Sequence, residues 1–131
     1  MKLESLIRKK KSVAIESTLA GKYLIKTTKR VKRLGYKVRI VYFFVDNPEI
    51  ALARIEARVK AGGHNVPKED VIRRFYRSKT NFWKIYRELA DEWALFYNGT
   101  ERIIPVASGA RSSLDVFNEE LLSLFNKGKA K

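Results

Sequence analysis

The sequence predicts an α/β fold, a parallel sheet with helices on its flanks. Three observations carry that prediction. Val38 to Val45 is a near-continuous apolar, β-branched run of the kind found in strands covered on both faces. The stretches beside it have helical periodicity and are long enough for crossover connections between parallel strands. At 131 residues, 45% hydrophobic and 11% aromatic, the chain suits one core and a single domain over 1–131. It contains no internal repeat and no linker-like composition.

Leu3 to Arg8 reads as a short helical turn. Ser12 to Glu16 reads as a buried strand, apolar and ending on a carboxylate, and Ser17 to Gly21 as the turn after it. Lys22 to Leu34 is helical, with Leu24, Ile25, Thr28, Val31 and Leu34 near one face. Gly35 stops it, at a position that wants a positive φ. The strand Lys37–Val45 comes next. Asp46 or Asn47 can then cap a helix that takes Pro48 in its first turn and runs to about Ala61. After Val66-Pro67 a long helix extends from Lys68 to about Leu89, with Val71, Phe75, Phe82, Ile85, Tyr86 and Leu89 as candidate buried positions. Glu92–Tyr97 reads as a strand, Asn98-Gly99 as a turn, and Arg102–Ala107 as a second strand that Pro105 demotes to the sheet edge. Ser112 or Ser113 opens a terminal helix bearing Val116, Phe117, Leu121, Leu122, Leu124 and Phe125.

Composition narrows the chemistry. There is no cysteine, hence no disulfide, thiolate metal site or cysteine nucleophile, and the single histidine rules out a two-histidine metal site. The opening residues lack the apolar run of a signal peptide and nothing downstream is long enough to span a bilayer, so a cytoplasmic protein is expected. Twenty-eight basic against fourteen acidic side chains give a net charge of +14. That field attracts polyanions and small anions alike, which keeps nucleic acid open as a partner beside the plainer reading of a solvated basic surface.

The most informative stretch is the loop 61–67 together with the helix behind it. Gly62, Gly63, His64 and Asn65 precede Pro67, and that helix carries Arg73, Arg74 and Arg77. Flexible backbone leading into arginines suits a lid over phosphate oxygens, because the guanidinium fork matches phosphate and stays charged. Arg54 and Arg58 lie four apart on the preceding helix. If the loop reverses the chain, Arg58 and one of Arg73 or Arg74 converge on one anion; otherwise these are solvated helix faces. His64 is favoured for loop hydrogen bonds over catalysis. Glu16 and Thr18 sit at the carboxyl end of the first expected strand, where open α/β sheets bind ligands. There Glu16 can orient a substrate hydroxyl or a magnesium-bound water, or simply pair with a lysine. Trp83, Tyr86, Trp93 and Tyr97 could stack on bases, but their spacing favours core packing. No Gly-x-x-x-x-Gly-Lys-Ser/Thr phosphate loop occurs in the chain.

Together, Glu16-Ser17-Thr18, the strand Val38–Val45, the run Asp46 to Ile55, the loop Gly62 to Pro67, Arg73 to Ser78 and Tyr97-Asn98 resemble the zeta-toxin-like P-loop kinases, in order and spacing, over roughly Lys11 to Ala107. The resemblance implies a three-layer P-loop-kinase sheet and phosphoryl transfer from ATP with Mg2+, with UDP-activated amino sugars as the best-known acceptors in that family. By position it implies Glu16 and Thr18 on the substrate side, Arg58 and Arg73 or Arg74 on the transferring phosphate, and Asn98 at the nucleotide-base end. The family's first strand, phosphate loop and catalytic aspartate precede the matched part, so the chain is expected to be an amino-terminally truncated kinase domain with no activity of its own. In the family the first strand lies between the two that correspond to Ser12–Glu16 and Lys37–Val45. Its absence predicts closure of the gap, a strand from a second polypeptide, or a homodimer. A phosphate-loop-bearing chain and an antitoxin are the implied protein partners. A basic nucleic-acid-binding domain and a non-catalytic interaction protein are the alternatives.

Overall fold

A computed structural model describes residues 2–62, 67–110 and 113–127. The α-helices are α1 (Lys2–Arg8), α2 (Leu24–Arg33), α3 (Pro48–Lys60), α4 (Lys68–Asn81), α5 (Arg87–Leu89) and α6 (Glu119–Lys127); a π-helical turn, Phe82–Tyr86, joins α4 to α5. The strands are β1 (Arg39–Phe44), β2 (Glu92–Asn98), β3 (Ile103–Ala110) and β4 (Asp115–Val116), ordered β1-β2-β3-β4 in one sheet.

Local chemistry accounts for most boundaries. Gly35, at φ +93°, ends α2, with the Tyr36 N–H donating to the Val31 carbonyl at 2.9 Å and the Gly35 N–H to Lys32 at 3.0 Å. This double closure is the Schellman arrangement that glycine permits. Asn47 caps α3, its Oδ1 accepting from the Ile50 N–H at 3.0 Å, and Pro48 occupies the first turn. Asn98-Gly99 opens the β2–β3 hairpin, closed by the Gly99 N–H on the Arg102 carbonyl. The expected long helix over 68–89 is present, with the π turn inside it.

The sheet is mixed rather than parallel. Only β1 and β2 run parallel, in the register Ile40↔Trp93 through Phe44↔Tyr97, while β2, β3 and β4 are antiparallel. The core joins one face of this sheet (Phe44, Trp93, Leu95, Val106, Ala107) to Leu19, Phe82, Tyr86 and Phe125, with Leu24, Ile25 and Leu122 packed against it. Tyr42 stacks on Phe82 at 4.6 Å between ring centres, and Trp93 meets Phe82 and Trp83 edge-on. Trp83, Tyr86, Trp93 and Tyr97 thus serve packing. The helices that build the core all use this face.

Four expectations are corrected. Ser12–Glu16 is not a strand: it has no regular structure and is exposed apart from Val13. A β-branched run becomes a strand only beside another strand, and none pairs it. Lys37–Val45 is not covered on both faces: Ile40, Tyr42 and Phe44 face the core, while Val41 and Phe43 on the other face are about half exposed (48% and 49%). The Pro105 strand is interior rather than edge. Pro105 is tolerated because β4 pairs only Ala107 and Ser108, and the ladder to β2 shifts register at Leu95/Phe96. The terminal helix starts later than Ser113. The intervening residues form β4, and the Asn118 side chain accepts from the Leu121 N–H at the start of α6.

Candidate functional site

The carboxyl ends of β1 and β2 lie side by side, since Phe44 is opposite Tyr97. Parallel strands open their ligand crevices at this end. From β1 the chain passes through Val45 and Asp46 into the cap of α3. The Tyr97 hydroxyl donates to Asp46 Oδ1, and the accepting carboxylate holds the phenol's pKa above its ordinary value. Arg54, on α3, donates through Nη2 to the Asn98 carbonyl at 3.0 Å. The end of β2 is therefore fastened to α3 by one charge-assisted bond and to the β1–α3 junction by another.

Behind this junction sits Lys79 of α4, 1% exposed. Its Nζ has no hydrogen-bond partner among the described residues and lies 4.4, 5.0 and 5.4 Å from the ring centres of Phe75, Phe44 and Phe125. Burial lowers its pKa to about 8, against the upward pull of the Asp46 charge.

The arginines occupy a helical hairpin. Helix α3 packs against α4, with Arg58 near the end of the first and Arg73 and Arg74 near the start of the second. Gly62, at φ +99°, begins the connection; a Cβ there would meet nothing within 4 Å, so glycine serves the backbone angle rather than space. Gly63, His64 and Asn65 lie outside the described residues. Arg58 and Arg74 are exposed, whereas Arg73 donates through Nη2 to Asp70 Oδ1 at 2.7 Å, one turn back on its own helix.

Glu16 and Thr18 are exposed and sit on a turn rather than at a strand end. Helix α4 and the π turn hold that turn by its carbonyls. Ser78 Oγ donates to the Thr18 carbonyl, and Asn81 Nδ2 donates to those of Leu19 (2.8 Å) and Ala20 (3.1 Å). The Tyr86 hydroxyl reaches the Gly21 carbonyl at 2.9 Å. Tyr42 shares a 2.5 Å bond with Ser78, which carries the link on to β1. Leu19, buried at φ +59°, locks the turn from below.

One helix thus supports both candidate groups. Its first half carries Arg73 and Arg74, and its second half straps the turn of Glu16 and Thr18. Asn98 is bonded to Arg54; no bond joins Arg58 to Arg73 or Arg74. Sequence reasoning missed Lys79, Ser78, Asn81 and the Asp46–Tyr97 pair. A signal existed for Lys79, which continues the Val71–Phe75–Phe82–Tyr86 stripe at i+4 from Phe75. Ser78 and Asn81 also interrupt that stripe with small polar groups. Asp46–Tyr97 had no local signal, because it depends on strand register.

Chemically, the arrangement offers cations for phosphate oxygens and two carboxylates, Glu16 and Asp46. Among the described residues no group of three or more acidic or histidine side chains could hold a metal unaided. Magnesium carried by a nucleotide needs only one or two carboxylates besides the phosphates.

The model of the zeta toxin family matches residues 1–104. An uncharacterized protein of Haemophilus influenzae is 44% identical over 62 residues, which are 47% of this chain and 44% of that protein. The chain thus matches less than half the length of this curated relative. No solved structure matches it.

Proposed function

The chain belongs to the zeta toxin family, and from that premise we propose that it is the carboxy-terminal portion of an ATP-dependent small-molecule kinase. The acceptor is a nucleotide-activated amino sugar, and the nucleotide's inner phosphates are held by a phosphate loop on another segment. The observation that carries this reading is the α3–α4 hairpin, with Arg58 on one arm, Arg73 and Arg74 on the other, and Arg54 anchoring it to the end of β2. Phosphoryl transfer asks little covalent chemistry of a protein; it needs positioning and charge stabilisation. In this reading the arginines neutralise the transferring group, with Arg73 exchanging Asp70 for phosphate. Glu16 orients the acceptor hydroxyl beside Thr18, and Asn98 lies at the base end. When bound with ATP, Mg2+ supplies charge neutralisation on the phosphates; Glu16 or Asp46 is the carboxylate suited to its shell. The cytoplasm is the expected place of work, and among the described residues no helix is long and apolar enough to cross a membrane.

The test is calorimetric titration of Mg2+–ATP into the purified chain and into the Arg73→Ala/Arg74→Ala variant. Binding by the first that the second loses supports the reading; binding indifferent to the substitution overturns the role given to the arginines, and no binding means that the phosphate loop of the other segment is decisive. The +14 charge supports one second reading, a polyanion-binding domain. That reading predicts RNA affinity falling steeply with salt and no preference for ATP.

A further inference from the structure

Most of the net charge sits in the first third of the chain. Residues 1–40 hold thirteen basic and two acidic side chains, a surplus of eleven out of the total of fourteen. The fold gathers these cations on one surface. Arg30 of α2 donates through both terminal nitrogens to the Glu4 carboxylate of α1, and the Tyr36 hydroxyl donates to the Lys11 carbonyl at 2.8 Å. The run Arg8–Lys11 therefore lies along the last turn of α2. Beside it Lys26, Lys29 and Arg33 form a stripe with steps of about 4.5 and 6 Å along the helix axis. That stripe is on the side away from Leu24 and Ile25, which pack on the core. All seven cations are exposed, and none has an ion-pair partner among the described residues. The carboxylates that meet this part of the chain are taken: Glu4 by Arg30, Asp91 by the Val38 N–H and Lys32, and Glu92 by Arg39. Glu88, next to the Leu89 carbonyl that Lys32 reaches, pairs with Arg87. Glu16 lies at the other end of α2, next to Ser17, whose Oγ meets the Tyr23 hydroxyl.

Helix dipoles favour a cation or two at a helix's end, but not four in a row. Lys10, moreover, holds φ +56° where α1 closes, with the Lys11 N–H on the Leu6 carbonyl and its own on that of Ile7. Glycine is the residue suited to that position. A strained lysine inside a self-repelling run costs stability, and local structure gives no reason for its charge.

We propose that this surface binds a single strand of nucleic acid, its backbone following Arg8–Lys11 and the α2 stripe. A repeating phosphate chain matches cations that stand without free carboxylates among them. Tyr23, 68% exposed at the head of the stripe, supplies a platform for a base. Its ring lies against Gly21 and its hydroxyl on Ser17 Oγ at 3.0 Å, so it is already fixed in place. A membrane-inserting helix needs an open apolar stripe, whereas that of α2 faces the core. An acidic protein needs an apolar centre to dock on, and the open apolar groups of this segment besides Tyr23 are only Ile15 and Leu34. The surface is built on elements other than α3 and α4, so the inference survives failure of the kinase reading.

The test is fluorescence anisotropy of labelled oligouridine with the full-length chain, from about 50 to 200 mM salt. For the parent, log affinity should fall against log salt with a slope of about −5, as seven phosphate contacts to a single strand require. Lys9→Gln/Lys10→Gln/Lys11→Gln should lower the affinity about tenfold or more and make the slope shallower by about 2. Tyr23→Ala should lower the affinity about fivefold or more and leave the slope as it is. Lys60→Gln/Lys68→Gln/Lys127→Gln removes the same charge at exposed positions elsewhere and should keep the parent's slope. Circular dichroism verifies the fold of each variant. No binding, equal loss by the two triple variants, or an affinity indifferent to Lys9–Lys11 or to Tyr23 would overturn the proposal. So would duplex RNA or polyglutamate of equal length bound as tightly as oligouridine. Phosphatidylserine vesicles bound where oligouridine is not would overturn it too, and would assign the surface to a membrane.

Discussion

Lys79 holds its ammonium 4.4 Å from the centre of the Phe75 ring and has no hydrogen-bond partner among the described residues. Aromatic faces return part of the desolvation cost of a buried cation, though less than an ion pair or full hydration does. The result is a group whose pKa falls to about 8 from 10.5.

Stability should therefore depend on pH in the alkaline range. Between pH 8 and 10.5 the folded chain has released the Lys79 proton while the unfolded chain retains it. Unfolding then takes up a proton, so stability rises with pH, by up to about 3 kcal/mol. Tyr42 acts oppositely, since burial pushes its pKa up to about 12, and above pH 10 the unfolded phenol ionises first. Urea melts from pH 7 to 11 should show a maximum near pH 10, where the two effects cancel. Lys79→Met should remove the rise and stabilise the protein at pH 7 by about 1–3 kcal/mol. A flat profile in the parent would refute the buried cation.

Asn81→Ala should destabilise the protein by about 1–3 kcal/mol, because it leaves the Leu19 and Ala20 carbonyls without their donor. Chemical denaturation measures this. Hydrogen exchange should quicken locally over residues 17–21, which would separate loss of the strap from a general loosening.

At Ile15, 55% exposed in a segment without a strand partner, Ile15→Ser should change stability by less than about 0.5 kcal/mol. A buried strand at Ser12–Glu16 would make the same substitution cost several times more. Denaturation of this one variant therefore decides the state of the segment in solution.

Gly109→Ala should cost about 1–3 kcal/mol. Its new Cβ would lie 2.6 Å from Trp93 Nε1 and 2.6 Å from the Ser113 carbonyl oxygen, and neither the core tryptophan nor the backbone gives way cheaply. A melting temperature unchanged by the substitution would show that the β3–β4 turn is looser than these contacts imply.

Much of the candidate site was legible before any fold. The arginines on either side of the 61–67 loop, the Asn47 cap and the glycine at position 62 are read from neighbours within a turn or two. The geometry that gives them meaning was not. Glu16 was expected at a strand end but sits on a turn held by Ser78 and Asn81, residues some 60 positions away that interrupt the apolar stripe of their helix without naming, in sequence, the carbonyls they bond.

The sequence by itself determined the helices other than the start of α6, the Gly35 and Asn47 caps and the Asn98-Gly99 hairpin, because those depend on groups bonding to backbone a few residues away. It also determined which family the chain resembles, through the order of its short motifs. Tertiary structure alone decided that Ser12–Glu16 forms no strand, that β1 is covered on one face only, and that Lys79 is buried among rings. The physical reason is common to all three. A strand's state and a side chain's solvation depend on what lies alongside, and that is set by register and layer packing rather than by local preference.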